Sequence, residues 1–250
     1  MRSGDQTPLS EPGGAGGSAG DAGDNPSGSD VAASAIAVAS ALRPRFRGVL
    51  HRWAAGVSVV LFIGLWVAAN DMGSRVVVAV YGCCVTAMLG VSAVYHSGRL
   101  SLRAVRRLKR MDHATILLAI AGTYTAVIAL GLDGTTRSVL LVVVWAAALI
   151  GIAIRMLWLD APYPHVAVVY LVVGWVALID IEAFLRALSG GQMALVVVGG
   201  LLYTAGAIVY AVRRPDPLPA VFGYHEVFHA LVVGGALAHY LAVLAIVRGR

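Results

Sequence analysis

The twenty residues from Val76 to Tyr95, VVVAVYGCCVTAMLGVSAVY, contain no charged side chain and no proline. At a helical rise of 1.5 Å per residue they extend about 30 Å, the thickness of a bilayer's hydrocarbon core. A helix that is apolar all round is either buried in a large core or spans a membrane. The rest of the chain selects the second. Predominantly apolar windows of similar length recur near Trp53–Ala69, Ala114–Leu132, Val139–Leu159, Val166–Leu185, Met193–Val212 and Phe228–Val247. Between them lie turn-forming residues, among them Asn70–Gly73, Gly98, Asp133–Gly134, Pro162 with Pro164, Gly190–Gly191 and Pro215, Pro217 and Pro219. Hydrophobic residues make up 59% of the 250, charged residues only 13%, and the mean hydropathy is +0.81. The sequence therefore predicts an all-α, multi-pass protein of the cell (plasma) membrane with seven transmembrane helices.

The flanks and connections set the remaining organisation. Residues 1–42 are expected to form a disordered low-complexity tail, since Gly, Ser, Asp and Pro dominate the first thirty and offer too little apolar surface to offset the entropy of ordering. Val31–Leu42 is apolar but too short to span, and no cleavable signal peptide is expected. Residues 43–250 form the membrane domain. The adjacent Cys83 and Cys84 read as small packing residues. The net charge of +6 does not indicate nucleic-acid binding, because the basic residues lie between apolar runs and form no aromatic-interleaved surface; membrane lipids are the expected partners. One set of connections carries Arg43, Arg45, Arg47, Arg52, the Arg99–Arg110 run, Arg155, Arg213 and Arg214, whereas the opposite set carries Arg75, Arg137, Arg186, Arg248 and Arg250. The excess of cytoplasmic Lys and Arg around short loops then predicts a cytoplasmic N-terminus and, with seven spans, an external C-terminus.

Ionisable residues at membrane depth are costly and mark function by default. Ser92 and His96 lie four apart at the end of the second span, Asp112 opens the third, and His225 and His229 lie four apart at the start of the seventh. Residues four apart share a helical face, and the alternation of spans brings all five to one leaflet. Three imidazoles with an open fourth position form a usual catalytic zinc set. His96, His225 and His229 are accordingly the candidate zinc ligands. Asp112 and Ser92 are the candidate catalytic residues, Asp112 to hold a water or act as general base and Ser92 as a hydrogen-bond donor to it or to a carbonyl oxygen. His51 and His165 read as wetted interfacial anchors, His113 as pointing off the Asp112 face, and His239 as a structural hydrogen bond. Asp180 and Glu182 fall too far from the cluster to join it and would line a polar cavity or pair with Arg186. The Arg99–Arg110 run reads as a solvated loop attracted to anionic headgroups.

Five segments together carry a resemblance: Ser92-Ala-Val-Tyr-His96, Arg110-Met-Asp112-His-Ala-Thr-Ile, Ala121-Gly-Thr-Tyr-Thr125, Tyr170-Leu-Val-Val-Gly-Trp175 and Gly223-Tyr-His-Glu-Val-Phe-His229, followed by His239-Tyr. From about Pro44 to Val247 the chain resembles the hemolysin III family, related to the progestin and adipoQ receptors and, more distantly, to alkaline ceramidases. The resemblance implies seven helices with zinc on the residues matching His96, His225 and His229, an Asp at 112 beside the zinc-bound water, and a Ser at 92. Receptor relatives are thought to hydrolyse ceramide-like lipid amides, and bacterial members are named for cytolysis and linked to membrane-lipid homeostasis. One departure is Ala126, where the family usually has a Pro after Gly-Thr-Tyr-Thr; it would alter a helix kink more than the site.

The expected activity is zinc-dependent hydrolysis of a lipid amide or ester that enters from the bilayer. The alternative is non-enzymatic, a membrane regulator, receptor-like protein or cytolysin in which zinc is a structural staple. A third reading takes His225-Glu226-x-x-His229 as the zincin string of an intramembrane metalloprotease with Leu132-Asp133-Gly134. Topology opposes it, since Asp133 falls at the far end of the third span, a bilayer thickness of ~30 Å from the histidine pair.

Overall fold

The computed structural model describes Pro44, residues 46–98 and residues 100–250. The expected disordered tail, its apolar stretch Val31–Leu42, and Arg43, Arg45 and Arg99 lie outside the described residues. The described chain is built from α1 (Val49–Ala68), α2 (Met72–His96), α3 (Leu102–Gly131), α4 (Gly134–Leu157), α5 (Tyr163–Gly174), a 3₁₀ segment (Val176–Asp180), α6 (Ile181–Ala187), α7 (Gly190–Val212) and α8 (Tyr224–Arg248). Among the described residues, seven segments are long and apolar enough to cross a membrane, the fifth being α5 through α6.

Helix starts are closed by the residues that punctuate the sequence. Asp71 accepts the Ser74 N–H at 2.9 Å and its hydroxyl at 2.6 Å, and Ser101 accepts the Ala104 N–H at 3.3 Å. Ser189 and Gln192 form a reciprocal capping box at α7. Such caps satisfy backbone donors that have no partner in the first helical turn. Ser101 also moves the start of α3 twelve residues ahead of the apolar window that begins at Ala114. The basic run is thus helical from Leu102 onward, with Arg103, Arg106, Arg107 and Arg110 exposed, and Asp112 lies about three turns into α3 instead of opening it.

The interior is lined by α2 and α3, whose Val78, Tyr81, Leu117 and Ile128 are all but fully buried, together with Leu65, Val144 and Val243 from neighbouring helices. The outer surface is apolar as well: Val60, Val142 and Leu157 are 70–88% exposed, which suits lipid as solvent. Since lipid gives apolar helices no hydrophobic reason to associate, close packing must hold them. Gly122 provides one such contact, since a Cβ there would lie 2.7 Å from the Cβ of Cys84. Cys84 is thus a small packing residue as expected, and Cys83 is exposed on the lipid-facing side.

The fifth span departs from the continuous helix expected over Val166–Leu185. Its α-helix stops at Gly174 because the phenol of Tyr124, on α3, takes over the local hydrogen bonding: its hydroxyl donates to the Gly174 carbonyl at 2.6 Å and accepts from the Ala177 N–H at 3.0 Å. A side chain inserted into the i→i−4 ladder is a recognised cause of a break. Trp175, at the break, donates to the Thr204 hydroxyl of α7 at 3.1 Å. α3 itself runs unbroken through the buried Ala126.

Candidate functional site

α2 ends where α3 and α8 begin their buried portions, and there His96, His225 and His229 converge. One ring nitrogen from each lies within 4.8 Å of the others. The Nε2 atoms of His96 and His225 are 3.2 Å apart, and the ring centroids are separated by 4.5–5.1 Å. Two nitrogens bound tetrahedrally to one zinc at about 2.0–2.1 Å would be about 3.3 Å apart, so the donor chemistry and the His96–His225 spacing fit that ion. His225 and His229 reach the point together because they are one turn apart on α8.

The two candidate catalytic residues lie at the same end of the molecule. Ser92, one turn before His96, and Asp112 are both buried, and the Ser92 hydroxyl lies beside the Asp112 carboxyl. Both border a cavity of about 380 Å³ that also reaches the three histidines. From this polar pole the cavity passes Met88, Ile116, Val127 and Leu171, goes by the break at Gly174–Trp175, and extends to His239. Its size and apolar walls suit a small amphiphile.

The other polar residues separate from this group. Glu226 is 1% exposed; its carboxylate accepts from Arg47 Nε at 2.5 Å and from the Gly223 N–H at 2.9 Å, closing the start of α8. It is a buried capping and ion-pairing residue. His113 Nδ1 lies 2.8 Å from Arg155 Nη2; an arginine only donates, so Nδ1 accepts. Arg155 is itself buried and donates to the carbonyls of Trp158 and Leu159 at 2.7 and 3.1 Å. His239 Nε2 donates to the Val196 carbonyl at 3.1 Å, the structural bond expected of it. His165 is exposed, as expected of an anchor. Asp180 caps α6 through the Ala183 N–H, and Glu182 pairs with Arg186 at 2.9 Å on the surface. Asp133 is exposed at the start of α4, 21 residues beyond Asp112 and hence about 30 Å along α3.

His51 contradicts its expectation. It is 3% exposed, not wetted, and its ring stacks face to face on His229, with centroids 3.8 Å apart and planes inclined by 7°. Sequence reasoning missed it, together with Arg47 and Gly48, because their partners stand far along the chain. Only the tight spacing of Arg47, Gly48 and His51 could have drawn notice.

Residues 39–240 match the haemolysin-III-related family. Among curated proteins, the chain is similar to the hemolysin-3 homolog of Bacillus subtilis (strain 168), 36% identical over 137 residues that cover 55% of this chain and 62% of that protein. It is also similar to the hemolysin-3 of Bacillus cereus, 29% identical over 199 residues, or 78% of this chain and 88% of that one. A shorter similarity, 34% identity over 64 residues covering 24% and 14% of the two chains, links it to the adiponectin receptor protein of Drosophila melanogaster.

Proposed function

The chain belongs to the haemolysin-III-related family of multi-pass integral membrane proteins, and from that premise we propose that it is a zinc-dependent hydrolase of lipid amides or esters acting in membrane-lipid homeostasis at the plasma membrane. The observation that carries the proposal is the convergence of three histidine nitrogens within 4.8 Å at one pole of a largely apolar cavity, beside a buried carboxyl. His96, His225 and His229 would hold the ion. When bound, zinc supplies Lewis acidity, polarising a carbonyl and lowering the pKa of water towards about 7.

The chain's own groups are assigned the remaining work. Asp112 accepts the proton released when water attacks the lipid carbonyl, and then returns it to the leaving amine or alcohol. Ser92 orients that carboxyl or donates to the carbonyl oxygen. The walls around Ile116, Val127 and Leu171 take the acyl chain and keep bulk water from the carbonyl. The protease reading loses its base, because both Glu226 carboxylate oxygens are engaged, one by Arg47 and one by Gly223.

Metal analysis of purified protein tests the centre: wild type should hold about one zinc per chain, and the double variant His225→Ala/His229→Ala should hold none. Undiminished zinc in that variant would sink the site. Asp112→Ala should keep zinc while turnover of a fluorescent ceramide, or of a phospholipid ester, falls by roughly 10²- to 10⁴-fold, the usual worth of a general base. Full turnover by Asp112→Ala would remove the role assigned to that carboxyl. The relatives' names speak of hemolysins and a receptor and not of hydrolysis; zinc retained without turnover of either lipid by wild type would turn the reading to a non-enzymatic membrane protein with structural zinc.

A further inference from the structure

The start of α1 is fastened to the three-histidine centre by three residues within five positions. Arg47 pairs with Glu226, whose neighbour in sequence is His225. Gly48 has φ of 76°, and a Cβ there would lie 2.8 Å from the Cβ of His96; only glycine takes that backbone at that distance without strain. One turn on, His51 lies flat against His229. The three contacts reach all three candidate ligands or their immediate neighbours.

His51 differs from the other buried histidines in what its nitrogens do. His113 accepts from Arg155, and His239 donates through Nε2 to Val196 although its Nδ1 is unpaired; most buried polar side chains keep at least one such partner. His51 borders the cavity, yet both its nitrogens are buried without a hydrogen-bond partner; its ring edge approaches the backbone of His229 outside hydrogen-bonding geometry. Leaving buried polar atoms unpaired disfavours the fold, so a partner is expected from outside the protein. His51 is not in the set whose nitrogens lie within 4.8 Å of one another, so it is a neighbour of the centre and not a fourth ligand.

We propose that His51 is a ligand-binding and positioning residue: its stacked ring fixes the orientation of His229, and a ring nitrogen hydrogen-bonds the amide or carboxyl head that a lipid presents to the three histidines. A neutral imidazole offers one donor and one acceptor, which matches a head group carrying both. The proposal rests on the zinc reading above.

The test uses the full chain in detergent micelles with cobalt in place of zinc, titrated with acetohydroxamic acid as the head-group probe and followed by visible absorption. His51→Phe keeps a flat ring and removes both nitrogens. It should retain full metal content and unshifted cobalt bands, while the probe's Kd rises at least tenfold. His51→Ala should in addition shift the cobalt bands and weaken zinc binding. A probe Kd for His51→Phe within twofold of wild type overturns the hydrogen-bonding role, and unchanged cobalt bands in His51→Ala overturn the positioning role. If His51→Phe does not yield monodisperse protein, His51→Gln against His51→Leu makes the same comparison, and equal Kd values for the two overturn the hydrogen bond. Wild-type protein that binds neither zinc nor cobalt overturns the three-histidine reading itself, and is told apart from the failure of His51 alone.

Discussion

Glu226 stands in sequence between two candidate ligands, yet its carboxylate is spent on holding the molecule together, accepting from Arg47 across 179 positions and from the N–H of Gly223, the residue that caps its helix. Glu226→Gln should therefore leave zinc content and any lipid turnover unchanged while lowering stability by about 1–3 kcal/mol, the range for weakening a largely buried, hydrogen-bonded charge pair. Arg47→Gln should cost a similar amount, and the double variant should cost less than the two together, as a double-mutant cycle by thermal unfolding would register. A loss of turnover beyond a hundredfold with intact zinc would instead return Glu226 to the chemistry. The same residues mark the limit of what the sequence makes legible. His96, His225 and His229 declare themselves because i, i+4 spacing is local and the alternation of spans supplies the leaflet. His51 carries no such signal: a lone histidine among arginines ahead of an apolar run has the pattern of an interfacial anchor, and only the packing of α1 on α8 reveals its stack on His229. Arg47 likewise reads as one more positive charge, since nothing local discloses a carboxylate partner on the last helix.

Between residue and bundle, the fifth span is the element whose form the hydropathy pattern conceals. Val166 to Leu185 is apolar enough for an unbroken helix, and hydropathy responds to composition, not to which carbonyl a distant phenol caps. Tyr124→Phe removes the hydroxyl that serves Gly174 and Ala177. It should destabilise the protein by roughly 1–3 kcal/mol, the cost of leaving backbone groups unpaired away from water, and should do so more than Thr204→Val, which takes the Trp175 partner and a bond to the Gly200 carbonyl of its own helix, already within the helical ladder. Thermal unfolding in detergent compares the two; equal midpoints for Tyr124→Phe and wild type would show that the break needs no phenol. Helix starts are more legible, because caps are local. Asp71 is one, and the Ser74 hydroxyl and N–H hold its carboxyl below the usual value of 3.8. A depressed carboxyl stabilises above its ordinary range and loses that effect as pH falls through its lowered value. The difference in unfolding midpoint between wild type and Asp71→Ala should accordingly be full at pH 7 and shrink below about pH 4; a gap that widens on acidification would contradict the cap.

At the scale of the whole molecule, the seven alternating spans sort the basic residues by end, and that sorting is what the sequence offers on orientation. Among the described residues, Arg47, Arg52, Arg103, Arg106, Arg107, Lys109, Arg110, Arg213 and Arg214 belong to the end that carries the three histidines, whereas Arg75, Arg137, Arg186, Arg248 and Arg250 belong to the other. Arg155 drops out of the comparison, because its guanidinium is buried on His113 and two carbonyls and does not project toward headgroups. Nine against five still favours the histidine end as cytoplasmic, and the weight falls on Arg103 to Arg110, exposed along the first turns of α3 within reach of the second and third spans. We therefore expect a reporter that is active only in the cytoplasm to work at the N-terminus and fail at the C-terminus, with the opposite result for one active only outside. Replacing Arg103, Arg106, Arg107, Lys109 and Arg110 by Gln leaves four basic residues against five and should yield a mixed population, read as partial activity of both reporters at each end. Unaltered reporter activities in that variant would mean that the α3 arginines do not set orientation, and an outside-active N-terminal reporter on wild type would put the His96, His225 and His229 centre at the external leaflet, facing a different pool of lipid.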